Sequence, residues 1–218
     1  MLTLITGALA GVVHVLSGPD HLAAVTPMAV DARERGWVSG WTWGLGHASG
    51  VVCVAVLAVA LRDLLPPIEA ISAWSERIVG VALIAVGLWA LRRSTRIGAV
   101  AHAHGTLSHR HLHLQAGPSW LRRLGHAHAS FCLGILHGVA GSSHFFGVLP
   151  ALALPSLGAS LIYIAAFGAG TVVAMTVFAA AIGTASVRLP NGVLPQRAMM
   201  VAAATLAITV GSIWIAVG

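Results

Sequence analysis

Apolar runs about twenty residues long, separated by short polar turns, recur from one end of the chain to the other, and this spacing constrains the fold more than any other feature. A run of that length crosses a hydrocarbon core roughly 30 Å thick as an α-helix, and the runs lack the alternation of barrel strands. Only 8% of the 218 residues are charged, against about a quarter in soluble domains. The expected fold is therefore an all-α polytopic membrane protein with six transmembrane helices.

The expected spans are residues 4–30, 37–61, 78–91 with their flanks, 129–154, 158–186 and 196–217. Gly18-Pro19 breaks the first, because proline lacks a backbone donor and clashes with the preceding turn. Trp37, Trp41 and Trp43 sit near the start of the second span as interfacial anchors. Arg62-Asp63 and Pro66-Pro67 close it, and a short amphipathic stretch with Glu69, Glu76 and Arg77 leads into the third. Cys53 and Cys132 fall inside apolar runs, where a small buried hydrophobe is the simplest role. The N-terminal segment has no basic n-region, and His14 and Asp20 interrupt it, so it is expected to be retained rather than cleaved.

The net charge of +6 comes from arginine alone. Ten of the twelve arginines fall on one side of this scheme, in the turn after span one, the long central loop and the turn before span six; only Arg62 and Arg77 lie opposite. Arginines flanking apolar spans speak for topology rather than nucleic-acid binding, and the bias places the central loop in the cytoplasm with both termini outside.

The chain also repeats itself. An offset of 123 residues superposes Gly11 on Gly134, His14 on His137, Gly18 on Gly141, His21 on His144 and Pro27 on Pro150. One residue more aligns Gly44-Leu-Gly46-His47 with Gly168-Ala-Gly170-Thr171. Residues 1–92 and 129–218 are thus two three-helix membrane repeats joined by a histidine-rich loop at 93–128. An odd number of spans per half makes the second half run inverted, the architecture of secondary transporters whose substrate sits near the midplane.

Histidines carry the chemistry. Residues seven apart return to nearly the same helix face, which aligns His14 with His21 and His137 with His144. The loosened backbone at Gly18-Pro19 lets Asp20 swing toward the same cavity, where a carboxylate in a membrane needs a partner, water or a cation. His47 follows glycines that let another helix approach closely. Imidazole with carboxylate suits borderline divalent ions such as Ni²⁺, Co²⁺ and Zn²⁺. The expected metal set is His14, Asp20, His21, His47, His137 and His144, with Ser17, Ser142, Ser143 and Thr171 as secondary pore-lining positions. Any one of these histidines alone would more simply be a buried ring bonded to backbone, but the set in two matching frames points to a shared cation site.

The loop adds His102, His104, His109, His111, His113, His126 and His128 in H-x-H spacing, which suits an exchangeable metal chelator on an extended chain. The plain counterpart is a polar linker or a pH-responsive loop.

His14 with Asp20-His21, Leu45-Gly46-His47-Ala48-Ser49, and the block from His137 to His144 together resemble the nickel/cobalt permease superfamily, particularly its NicO and UreH-like members. The resemblance covers most of the membrane domain and is sharpest over residues 11–28. It implies a permease for Ni²⁺ or Co²⁺ in a bacterial plasma membrane, with His14, Asp20, His21 and His47 at positions used for metal recognition, and the central loop resembles that of the efflux branch. The family pattern is H-x4-D-H, whereas five residues separate His14 from Asp20 here, and Val13 stands where arginine or lysine is common.

The leading expectation is a transporter, not an enzyme, with the divalent ion as cargo, the bilayer as partner, no tightly bound cofactor and no nucleic acid. A homo-oligomer or a metallochaperone partner is compatible with it. Two alternatives come from other classes. Ser142 or Ser143 beside His144 could belong to an intramembrane Ser/His enzyme, and the histidine cluster to a metal-dependent one. Paired histidines across the repeat could instead ligate haem in a haem-binding or metal-sensing subunit.

Overall fold

Helix α1 (Leu2–Ser17) ends one residue before helix α2 (Pro19–Ala32) begins. Gly18 between them is extended, at φ −92° and ψ 99°, and Pro19 occupies the first turn of α2, where its missing N–H costs nothing. A 3-10 turn (Arg33–Arg35) leads into α3 (Gly36–Leu61), followed by α4 (Ile68–Ser94), strands β1 (Ile97–His104) and β2 (Leu107–Leu114), α5 (Ser119–Ala140), α6 (Ser143–Leu152), α7 (Leu157–Arg188) and α8 (Val193–Val217). This computed structural model describes residues 1–61, 68–104, 107–114, 119–140, 143–188 and 193–217; the side chains of 59–61, 68–76, 98–104, 107–114, 119–126, 143–146, 193 and 217 lie outside the description.

Small residues set the helix pairing. A Cβ on Gly11 of α1 would strike the Phe167 carbonyl and lie 2.9 Å from the Thr171 nitrogen on α7. A Cβ on Gly134 of α5 would strike the Trp43 carbonyl and lie 3.0 Å from the His47 nitrogen on α3. Likewise Gly46 of α3 abuts Phe131 of α5, and Gly170 of α7 abuts Ala8 of α1. Close backbone approach of this kind is how helices pack where burial of apolar surface gives little driving force between them. Every one of these contacts maps onto another under the repeat offset found in the sequence. The main helix pairs, α1 with α7, α3 with α5, α3 with α7 and α4 with α8, are also preserved when the halves are exchanged.

Many large apolar side chains lie on the surface, while a set of polar groups is buried. Leu9, Val56, Val81, Val173 and Val177 face outward, while Val15, Val25, Met28, Trp43, Leu83 and Met175 pack in the largest core cluster. Among the described residues three helical runs are long and apolar enough to cross a membrane: Pro19–Ala58, Leu157–Arg188 and Leu194–Ala216. With its apolar exterior, the chain is a helical membrane protein. Asp31 at the end of α2 pairs with Arg93 at the end of α4 at 2.7 Å, and Arg197 near the start of α8 donates to the Ser94 carbonyl. Arg93 and Arg197, from two of the basic segments expected on one side, thus meet Asp31 and Ser94 at one end of the bundle.

Three expectations need correction. Helix α4 starts at Ile68 rather than near residue 78, so Glu69, Glu76 and Arg77 belong to it and not to a separate stretch. Residues 93–128 are not a loop throughout: they hold the end of α4, an antiparallel hairpin that pairs His102 with His109, Val100 with His111 and Gly98 with His113, and the first part of α5. Alternating H-x-H sequence is itself a strand pattern, and the amphipathic run from Ser119 prolongs α5 backward. The Arg62–Pro67 turn lies outside the described residues. Third, burial differs from expectation at Trp43, which is fully buried whereas Trp37 and Trp41 are exposed as anchors should be, and at Cys53 and Cys132, which are exposed rather than buried.

Candidate metal centre

The break at Gly18 builds the site. In an unbroken helix His14 and His21 would stand about 10 Å apart along the axis, yet their ring centroids are 4.3 Å apart. The extended residue folds the last turn of α1 and the first turn of α2 onto each other. Gly18 is also the residue that the contact tolerates, since a Cβ there would collide with His21 Nδ1 and lie 2.8 Å from Asp20 Oδ1. Asp20 occupies the first turn of α2, where the helix dipole favours a negative charge.

Asp20 bridges two imidazoles from different halves of the chain. Its Oδ1 lies 2.9 Å from His21 Nδ1 and its Oδ2 lies 2.8 Å from His137 Nε2 on α5. A carboxylate only accepts, so both ring nitrogens donate, and the lone pairs are left on His21 Nε2 and His137 Nδ1. His21 Nε2 has no hydrogen-bond partner among the described residues, and neither ring nitrogen of His47 has one. His47 is 0% exposed, and a buried polar atom without a partner costs about 1–3 kcal/mol.

The imidazoles form one cluster. The His47 centroid lies 4.9 Å from His21, 5.5 Å from His14 and 5.7 Å from His137. Donor atoms of His14, His21 and His47 all lie within 4.8 Å of one another, as do those of Asp20, His21 and His137. The first group offers nitrogen donors alone. The second is already joined by hydrogen bonds through the carboxylate, which orients His21 with its free nitrogen directed away from Asp20. A carboxylate holding the far nitrogen of a ligating histidine is the usual outer layer of a metal site.

Of the residues singled out in the sequence, His14, Asp20, His21, His47 and His137 converge and are buried. Thr171 is buried as well, with its hydroxyl unpartnered among the described residues. Ser17 is not in the cluster: it is exposed, and its hydroxyl donates to the Val13 carbonyl of its own helix at 2.7 Å. Ser142 and the side chains of Ser143 and His144 lie outside the described residues. So do the side chains of His102, His104, His109, His111, His113 and His126, while His128 is exposed on α5. Two aromatic walls went unrecognised. Trp43 stacks on His47 at 5.1 Å and 8°, and Phe167 lies 5.4 Å from His14. Carried four residues back from His47 and Thr171, the repeat alignment sets these two aromatics opposite each other, so the signal was present in the sequence.

The chain is 37% identical over 191 residues to Chloroplast protein FOR GROWTH AND FERTILITY 1 of Arabidopsis thaliana, a match covering 86% of this chain and 51% of that protein. It is 34% identical over 192 residues to Chloroplast protein FOR GROWTH AND FERTILITY 2 of the same plant, covering 86% and 49%. It is 29% identical over 190 residues to Urease accessory protein UreH of Bacillus sp. (strain TB-90), covering 84% and 77%. The chain thus spans about half the length of the two plant relatives. No family model matches the chain, and no solved structure does. Two of the relatives are chloroplast proteins by name, so the bacterial plasma membrane expected above draws no support from the likeness. What stands is a helical membrane protein, distantly related to a urease accessory protein and carrying a buried histidine–aspartate cluster.

Proposed function

We propose that this chain is a permease for a divalent transition-metal cation, with Ni²⁺ or Co²⁺ as cargo. The observation that carries the reading is the buried cluster of His14, Asp20, His21, His47 and His137 inside an apolar bundle. Four imidazoles and a carboxylate gathered in one buried cluster, with both His47 nitrogens and His21 Nε2 lacking a hydrogen-bond partner among the described residues, are hard to account for as a packing core, whereas nitrogen donors with one negative charge suit a borderline divalent ion. The likeness to a urease accessory protein and the resemblance to nickel/cobalt permeases agree with it.

In this reading His14, His21 and His47 take the ion through neutral imidazole nitrogens. Asp20 holds the His21 ring in the required tautomer and supplies the charge that compensates the cation. The six segments form two inverted halves, an arrangement supported by the exchange symmetry of the helix pairs. Asp20 and His137 join those halves at the cluster, which is where alternating access would act. The basic end of the bundle, with Arg33, Arg35, Arg93 and Arg197, faces the cytoplasm or its equivalent compartment.

Accumulation of Ni²⁺, Co²⁺ and Zn²⁺ in cells with and without the protein is the test. Expression should change the cellular content of Ni²⁺ or Co²⁺, with the sign of the change giving the direction. His21→Ala and His47→Ala should return it to the level of cells lacking the protein. Wild-type flux in both variants would overturn the assignment.

A further inference from the structure

We infer that Trp43 is a positioning residue of this site, fixing the His47 ring by a parallel stack and favouring that ring when it carries positive charge. The inference rests on the metal-site reading above and adds a residue to it.

Trp43 and His47 are four residues apart on α3, so their side chains lie one above the other on the same helix face. The two rings stack with centroids 5.1 Å apart and an interplanar angle of 8°. The indole also meets His21 edge-on at 5.6 Å and His137 at 5.2 Å, touching three of the four clustered imidazoles. It is 0% exposed, so water does not compete at its face. Gly134 allows α5 to approach the very backbone that carries the pair, because any Cβ there would meet Trp43 and His47.

His47 needs such a constraint more than its neighbours do. Asp20 orients His21 and His137 through hydrogen bonds, but His47 has no hydrogen-bond partner on either nitrogen among the described residues. Stacking is then the interaction that selects its ring orientation. A metal ion withdraws electron density from a ligating imidazole, and the negative face of an indole attracts the charge that develops there. The matching position of the second half holds Phe167, four residues before Thr171, which offers a hydroxyl instead of an imidazole. The larger and more electron-rich ring stands where the nitrogen ligand stands.

The test is a Co²⁺ titration of the full chain purified in detergent, followed by the visible ligand-field absorption of Co²⁺ and by tryptophan emission. Trp43→Leu should weaken Co²⁺ binding about 10-fold, and its Co²⁺ spectrum should converge on that of His47→Ala. Trp43→Phe, which keeps a flat ring, should recover most of that loss while removing the largest part of the metal-induced emission change. A Trp43→Leu protein with wild-type affinity and a wild-type Co²⁺ spectrum would overturn the inference. Should Trp43→Leu fail to fold, Trp43→Phe alone decides: an emission change of undiminished amplitude would place the metal away from Trp43 and overturn it. Absence of Co²⁺ bands from the wild-type protein would instead overturn the metal-site reading, and this role with it.

Discussion

At the break between α1 and α2 the chain carries His14, Asp20 and His21, and at the matching sequence positions of the second half it carries His137, Ser143 and His144. The helices around the two stretches pack by the same rule, since Gly11 sits against Phe167 and Thr171 as Gly134 sits against Trp43 and His47. Their chemistry differs. The first half has a fixed charge and the His47 imidazole; the second has a serine and the Thr171 hydroxyl in their places. His137 bridges the difference by donating to Asp20, so a histidine of the second half serves the carboxylate of the first. The two halves thus share a packing frame, while among the described residues three of the four clustered imidazoles and the one buried carboxylate come from the first half.

Substitutions at paired positions test this asymmetry. The largest loss is expected at His21, whose two nitrogens serve both groups of the cluster: His21→Ala should abolish measurable Ni²⁺ binding in calorimetry of the purified protein. Asp20→Ala should reduce affinity about 10- to 100-fold, the usual cost of removing the carboxylate behind a metal-bound histidine. His47→Ala should fall in the same range, while Thr171→Ala at the matching position should stay within about 3-fold. Equal losses at His47 and Thr171 would show that the halves contribute alike.

Acid gives the next effect. Ligation needs neutral imidazoles, so metal binding competes with protons and affinity should fall steadily as pH drops from about 8 to about 5. Calorimetry in buffers of differing ionisation enthalpy would count the protons displaced at the acid end of that range, and an affinity unchanged down to pH about 5 would argue against imidazole ligands.

The smallest effects concern packing. Gly11→Ala and Gly134→Ala should each lower stability by about 1–3 kcal/mol through forced backbone shifts, and by similar amounts, because their surroundings match. Thermal unfolding in detergent measures both. Ser17→Ala, on the exposed side of α1, should leave metal binding as it is.

Much of this arrangement could be read before any coordinates. Apolar run lengths indicated a helical chain with long apolar spans, though not where α4 and α5 begin or that the span at 129–154 is divided between α5 and α6, and the broken segment at Gly18-Pro19 followed from proline chemistry. The 123-residue offset recurs in the glycine contacts between helices. Convergence of His14, Asp20, His21, His47 and His137 followed from their placement in polar breaks and beside glycines. Two things were hidden for physical reasons. Tryptophan at a membrane interface and tryptophan in a core have the same composition signal, so Trp43 could not be told from Trp37 and Trp41 by residue type. Seven-residue spacing predicts a shared face but not a 4.3 Å contact, which depends on the chain folding back at one extended glycine.

X-ray absorption of Ni²⁺ bound to the purified protein is the most direct measurement. Wild type should show the scattering pattern of imidazole rings from His14, His21 and His47. His47→Ala should lose one ring, and His137→Ala should keep the full count if the contact of His137 Nε2 with Asp20 sets its role in the proposed site. Loss of a ring in His137→Ala with no loss in His47→Ala would contradict the account.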